Sequence, residues 1–419
     1  MKPLMIYNIF PRLYRSPLEW IDLLDDIVDM GFNSVFVNNL YRTDSTGCLY
    51  AISDYFSLNE IFFDADTPYF DQLDLFIDKA HQNKLKVIFD LTLSCVSIES
   101  EIVKNNPQWF YREENGHFTH PSSWISGNYI SKNNLALINY DCDDRLNLWN
   151  YIKSILLFYI EKGVDGFRFE SAYRMPNELW DFLINEIKKS FSDILFIGET
   201  LGCTPVHIQS LAKTGFDYIY NSSKWWDYNE SWCLEQYEMT RLYSPSISFP
   251  GNHDTSRYHL KDTKMIVEYL RKLYFAAVFS GGFLMTSGFE YGYSRDLNTI
   301  TTTPEDREVT GFDFRENVKR ILGIKRSNYL LSFESKIEIP HNSNNEGVLS
   351  LLKVSENESI LILVNKSSDI DASVEIYNMD KIFSNKDVYE IFPSETPRQV
   401  INNIFSLKPA EIKIVGIKL

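Results

Sequence analysis

GVDGFRFESAYRMP, residues 163–176, decides the fold. VDGFRFE reads as one β-strand that stops on a carboxylate, Glu170, and a helix starts near Pro176 and Asn177. Alternation along a strand sets Arg168 on the same side as Glu170. A cation beside a carboxylate favours its ionised form, so Glu170 reads as a candidate nucleophile in need of a partner acid. Upstream, a helix from about Arg145 to Lys162 carries Leu148, Ile152, Ile155, Leu156 and Tyr159 on one face, and Gly163 stops it. Helix, strand, helix is the unit that repeats on both sides.

Towards the N-terminus, LMIYNIF (4–10), FNSVFV (32–37) and LKVIFD (85–90) read as strands, with helices around PLEWIDLLDDIVDM (17–30) and YFDQLDLFIDKAHQN (69–83). Residues from about 91 to 143 break the rhythm and read as an inserted excursion rich in Asn, Ser, His and Trp. Towards the C-terminus, ILFIGE (194–199), FDYIY (216–220), SISF (246–249) and GFLMT (282–286) are strands alternating with helices near 204–214, 229–243, 261–279 and 315–326. Strict β/α alternation implies parallel strands with crossover helices, and eight such units imply a closed (β/α)8 TIM barrel. Residues 1–334 are therefore expected to form the barrel. Beyond about residue 335, VLSLLKV, SILILVN, ASVEIY and EIKIVGI are β-only runs between turns, predicting an antiparallel, β-sandwich-like domain over 335–419.

The 419 residues are 44% hydrophobic, enough for a sizeable core and incompatible with disorder. A net charge of −16 argues against nucleic-acid and anionic-membrane partners and leaves neutral sugars admissible. Cys48, Cys95, Cys142, Cys203 and Cys233 are odd in number and lack CxxC spacing, so neither a disulfide framework nor structural zinc is indicated. The apolar run before Pro11 is too short for a secretory signal, and Leu273–Phe289 is interrupted by Ser280, Gly281, Gly282 and Ser287. A cytoplasmic protein is expected.

In a TIM barrel, catalytic groups sit where strands give way to βα loops. Asp90, Glu170 and Glu199 end predicted strands three, four and five, and Asp254 follows strand seven. Any one of them could cap a helix or face solvent. Four at one rim, with Arg168 and His253 among them, point to shared chemistry. Paired carboxylates suit glycoside cleavage, whose transition state is cationic: one attacks while a protonated partner assists the leaving group. The acid needs a raised pKa, which suits Glu199 behind the apolar run ILFIG. Metal binding is the competing use, but the seven histidines form no HxxxH or HxH group near these acids, so no metal and no cofactor is expected.

These stretches carry a resemblance. GFRFESA (166–172) is similar to the G-F-R-x-D-x-A signature of the α-amylase family, glycoside hydrolase family thirteen. IGET (197–200), FPGNHD (249–254), YAISDY (50–55) and VIFD (87–90) resemble that family's other barrel motifs, in its order. The resemblance implies a retaining enzyme acting on α-glucosidic bonds of an oligosaccharide or α-glucan, by hydrolysis or transfer. Glu170 would be the nucleophile, Glu199 the general acid/base and Asp254 the transition-state stabiliser. Arg168 would orient the nucleophile, His253 would bind a sugar hydroxyl, Tyr50 would stack on the sugar and Asp90 would be structural.

Two positions depart from the family pattern. The nucleophile is Glu170 where the family has Asp, and the first motif runs Asp90-Leu-Thr-Leu-Ser94-Cys95 where Asn and His are usual. Ser94 argues against calcium there. Cys95, at a sugar-binding position, and DYF (54–56) resemble the branch that transfers maltose from maltose 1-phosphate, although the complete His-Asp motif does not. Trp225 and Trp226 read either as a sugar platform or as rim packing. Trp109, Trp124, His117 and His120 read mainly as supports of the excursion, Glu290 as structural, and Cys203 and Cys233 as core thiols. Two functions remain: an active retaining enzyme, or a catalytically impaired member that binds glucan or a partner protein.

Overall fold

Eight parallel strands close into a barrel in the order β1-β8-β7-β6-β5-β4-β3-β2. They are Met5–Ile9 (β1), Ser34–Val37 (β2), Lys86–Thr92 (β3), Gly166–Glu170 (β4), Leu195–Gly198 (β5), Tyr218–Tyr220 (β6), Ser246–Ser248 (β7) and Gly282–Thr286 (β8). The computed structural model describes residues 3–125, 128–343 and 345–417. Alternation divides each strand between two cores. Phe167 and Phe169 of β4 face outwards into the layer shared with the helices, where Phe169 lies 4.8 Å from Trp180 between ring centroids. Ile6, Phe36, Ile88, Ile197, Tyr220, Ile247 and Leu284 fill the barrel interior.

The helix before β4 runs Arg145–Glu161, and Gly163 follows it at φ 96°, a left-handed conformation that a side chain would strain. The predicted helix over 17–30 is two helices, Pro17–Asp22 and Leu24–Met30, the second capped by left-handed Gly31. β3 also differs from its expected end at Asp90: it continues to Thr92, and Arg168 pairs in register with Asp90. Asp90 is thus inside the barrel rather than on its lip. Strand pairing carries on past it because the side chain finds its partners within the barrel.

The excursion between β3 and β4 holds two small antiparallel pairs, Cys95–Ser97 with Leu135–Leu137 and Ser122–Ile125 with Asn128–Ser131. A further pair, Tyr41–Thr43 with Ile52–Leu58, is inserted between β2 and β3 and brings Tyr50 to the rim. Beyond the barrel, a six-stranded antiparallel sheet is built around Val348–Val354, Ser359–Asn365 and Ile412–Ile417, and a separate pair joins Ala372–Glu375 to Ile404–Leu407. The larger sheet packs on the helix Thr263–Phe279. Arg271 donates to the carbonyls of Asn365 and Lys366 at 2.9 and 2.7 Å, and Tyr274 lies 4.7 Å from Phe392 between ring centroids.

Candidate active site

β4 delivers Arg168 and Glu170 to the barrel interior and its mouth, and the chain then turns sharply at Ser171. Ser171 is buried and left-handed at φ 46°, although it carries a side chain. The turn aims its two donors at different acids. Its hydroxyl donates to Glu170 Oε1 at 2.7 Å, and its backbone N–H donates to Glu199 Oε2 at 2.8 Å. Glu199 Oε1 accepts from the N–H of Leu201. The backbone carbonyl of Glu199 accepts from Ala172 at 3.0 Å, so the ends of β4 and β5 are tied together.

Arg168 is 1% exposed, and its Nη1 donates to Asp90 Oδ1 at 2.9 Å. Its Nη2 stands 4.0 Å from Glu199 Oε2 and 3.9 Å from Asp254 Oδ2. The other oxygen of Asp90 accepts from Asn38 at 3.3 Å and from the Tyr50 hydroxyl at 3.2 Å. Tyr50 Oη is 2.6 Å from His253 Nε2, which also lies 3.1 Å from Asp254 Oδ2. One connected polar network therefore joins strands β2, β3 and β4 to the loop after β7. Asp254, whose side chain is 46% exposed, is its solvent-facing end.

Burial sets the charge states. It lifts Glu199 from the ordinary 4.5 to about 7; Arg168 and the two backbone amides oppose the rise, and Glu170 adds to it. Burial raises Glu170 as well, against the Ser171 hydroxyl and Arg168. The expectation that Arg168 simply holds Glu170 ionised gives way to a different arrangement: the guanidinium is committed to Asp90, and desolvation is the largest influence on Glu170. Burial pushes the His253 pKa down, with Asp254 opposing.

Glu170, Tyr50 and Cys95 line one cavity of about 130 Å³, together with Lys132 and Arg174. Burial pushes the Cys95 thiol to about 11, so it is a neutral wall of that cavity. Trp225 is 52% exposed and lies edge-on to Phe249. Trp226 is 1% exposed, packs among Tyr228, Phe275 and Phe279, and donates its indole N–H to Glu230 at 2.7 Å. It has no free face to offer a sugar: the short 3-10 turn Ser223–Trp225 directs these neighbours in opposite directions.

Trp109 is buried and donates to Asp144 at 2.7 Å, and His120 Nδ1 lies 2.6 Å from the Leu135 carbonyl, both supporting the excursion. His117 is exposed, and the side chain of Trp124 lies outside the described residues. Glu290 accepts from the Tyr7 hydroxyl at 2.5 Å in the layer between the strands and the helices. Among the described residues, no group of three His, Cys, Asp or Glu side chains has the spacing to hold a metal ion. Sequence reading missed Asn38, Ser171, Lys132 and Arg174. Ser171 and Arg174 had a visible signal, since both follow Glu170 within the stretch 163–176; Asn38 and Lys132 reach the site through tertiary contacts alone.

A closed parallel (β/α)8 barrel with carboxylates gathered around a buried arginine at its C-terminal rim, followed by an antiparallel β unit, defines the class. Comparison with known proteins narrows it. The family model "Alpha amylase, catalytic domain" matches residues 20–208. A similar curated protein is the alpha-1,4-glucan:maltose-1-phosphate maltosyltransferase of Picrophilus torridus, 23% identical over 266 residues, covering 59% of this chain and 39% of that protein. The enzyme of that name from Cereibacter sphaeroides is 21% identical over 411 residues, covering 88% and 66%. The chain thus spans from over a third to about two thirds of the length of these relatives. Among solved structures, an alpha-amylase from Lactobacillus plantarum superposes with a TM-score of 0.78 at 18% identity, covering 99% of both chains. A maltogenic alpha-amylase from Thermotoga neapolitana gives 0.77 at 20%, again over 99% of both. The chain is similar to the α-amylase family over residues 20–208, and it shares its fold with these solved structures. Among the described residues, no helix is long and apolar enough to cross a membrane.

Proposed function

We propose that the chain is a retaining glycosidase or transglycosidase acting on α-glucosidic bonds of oligosaccharides. The observation that carries this is the placement of Arg168 Nη2 within 4.0 Å of Glu199 and 3.9 Å of Asp254, one alternation along β4 from Glu170. One buried cation thereby gathers two of the three acids beside the third. Glu199, lifted to about 7, is protonated in a large share of molecules at neutral pH and donates that proton to the departing glycosidic oxygen. The Glu170 carboxylate attacks the anomeric carbon as that bond breaks, forming a glycosyl ester. Glu199, now ionised, takes a proton from water or from an acceptor hydroxyl, whose oxygen displaces Glu170. Asp254, exposed beside His253, is placed to hold sugar hydroxyls and to stabilise positive charge at the ring.

The name of the curated relatives, and Lys132 and Arg174 on the cavity wall beside Glu170, support transfer from an anionic sugar donor as the form of this activity. The competing reading, a glucan-binding member without turnover, is favoured by two observations: Glu170 makes no ion pair within 4 Å among the described residues, and burial raises its pKa. Reducing-sugar release from maltooligosaccharides, with and without inorganic phosphate, separates these readings. Sugar 1-phosphate formed with phosphate supports transfer. Binding without turnover by the native chain, indistinguishable from Glu199→Gln, refutes the enzymatic reading.

A further inference from the structure

The nucleophile position carries a side chain one methylene longer than the family signature, and the next residue holds a conformation unusual for a serine. These two observations meet in a single hydrogen bond. We propose that Ser171 is a positioning residue for both acids: its hydroxyl holds the Glu170 carboxylate and its backbone N–H holds the Glu199 carboxylate. The proposal rests on the reading of Glu170 and Glu199 as nucleophile and acid.

The geometry explains why one residue can do both. At φ 46° the backbone N–H of Ser171 turns towards β5 and meets Glu199 at 2.8 Å, while Oγ, on the next bonds, meets Glu170 at 2.7 Å. In an extended backbone the amide would instead continue the ladder with β3 or β5. Left-handed backbone costs a residue with a Cβ about 1 kcal/mol or more, so a strained serine between two functional carboxylates is the kind of site where strain is retained. The turn is also locked from behind: Ala172 N–H donates to the Glu199 carbonyl at 3.0 Å, and Arg174 N–H to the Ser171 carbonyl at 2.9 Å. A glutamate has one more rotatable bond than an aspartate. The Ser171 hydroxyl removes that freedom by fixing one carboxylate oxygen. The other charged and titratable groups that face Glu170 are Arg168 on its own strand, Asp90 on β3, Asp254 after β7, Glu199 after β5, and Tyr50, Cys95, Lys132 and Arg174 on the shared cavity wall. None of them is tied to Glu170 by a hydrogen bond in this structure.

The hydroxyl and the amide can be separated experimentally. Ser171→Gly deletes the hydroxyl, retains the amide and relieves the left-handed backbone, so the turn survives. Ser171→Asn tolerates the same backbone and supplies a replacement donor. Titration of carboxyl-labelled glutamate by NMR, with Glu170 and Glu199 assigned from Glu170→Gln and Glu199→Gln, reads each acid without requiring turnover. Removing a donor from the charged form raises a carboxyl pKa. Ser171→Gly is therefore expected to move Glu170 up by about one pH unit, to leave Glu199 in place, and to be reversed in part by Ser171→Asn. On a maltooligosaccharide, Ser171→Gly is expected to lower kcat about 10-fold or more with KM little changed, and to move the acidic limb of the pH profile upwards with Glu170. Unchanged titration of Glu170 in Ser171→Gly overturns the proposal. If the native chain turns over no α-glucoside, the functional reading fails while the titration still decides the role of Ser171.

Discussion

Glu199→Gln tests the electrostatic core of the site through stability alone. Glu199 is buried, accepts one backbone N–H from Ser171 and another from Leu201, and is lifted from 4.5 to about 7 chiefly by desolvation. At about 1.4 kcal/mol per pH unit, the difference between its unfolded and folded values corresponds to about 3 kcal/mol. The sign follows from proton binding. Below about 4.5 both states hold the proton and the group makes no difference. Between 4.5 and about 7 the unfolded carboxyl ionises first, so the folded state binds more protons and stability falls as pH rises. Above about 7 the loss is complete. Glutamine does not titrate. It also has one acceptor oxygen for two N–H donors, which costs about 1–3 kcal/mol at every pH. The difference between native and variant stability therefore contains a constant part and a pH-dependent part, and only the second reports the buried charge. Urea unfolding followed by circular dichroism at pH 5 and pH 8.5 is expected to show the variant gaining about 2.5 kcal/mol relative to the native chain over that interval. A difference that stays constant within about 0.5 kcal/mol would refute a desolvated Glu199, and with it the proton that the proposed first step requires.

Three further outcomes are expected. Glu170→Asp withdraws the carboxylate from the Ser171 hydroxyl by about one bond length, and initial rates on maltooligosaccharides should fall about 100-fold; an equal or higher rate would show that the site is not fitted to glutamate. Arg168→Gln leaves Asp90 buried without its cation, so the urea midpoint should drop by the equivalent of about 3–5 kcal/mol at pH 7. Trp226→Ala should cost about 3–5 kcal/mol of stability. Trp225→Ala, at an exposed ring, should leave the thermal midpoint nearly unchanged and raise KM if the ring contacts sugar.

Most of the fold was legible from the chain, because the barrel follows from local periodicities. The apolar runs at 34–37, 86–92 and 282–286 are strands, the one-sided faces of 145–161 and 177–188 are helices, and the β-only tail is an antiparallel sheet. Strand ends were less legible. Nothing local shows that β3 runs two residues past Asp90, since that depends on Arg168 arriving beside it from β4. The adjacent tryptophans make the same point: one lies in the core and the other in solvent, because a single 3-10 turn separates their directions.

The sequence by itself determined which side chains could do chemistry and the order in which they reach the barrel rim, since alternation and strand–helix rhythm are properties of neighbouring residues. Only the tertiary structure decided their charge states and their partners. Arg168 is near Glu170 along the strand yet bonded to Asp90 across it, and the Glu199 pKa is raised because strands distant in the chain close water out around it. Ser171, unremarked in the sequence, becomes the contact between both acids, because a hydrogen bond depends on distances that a barrel sets and a linear chain does not.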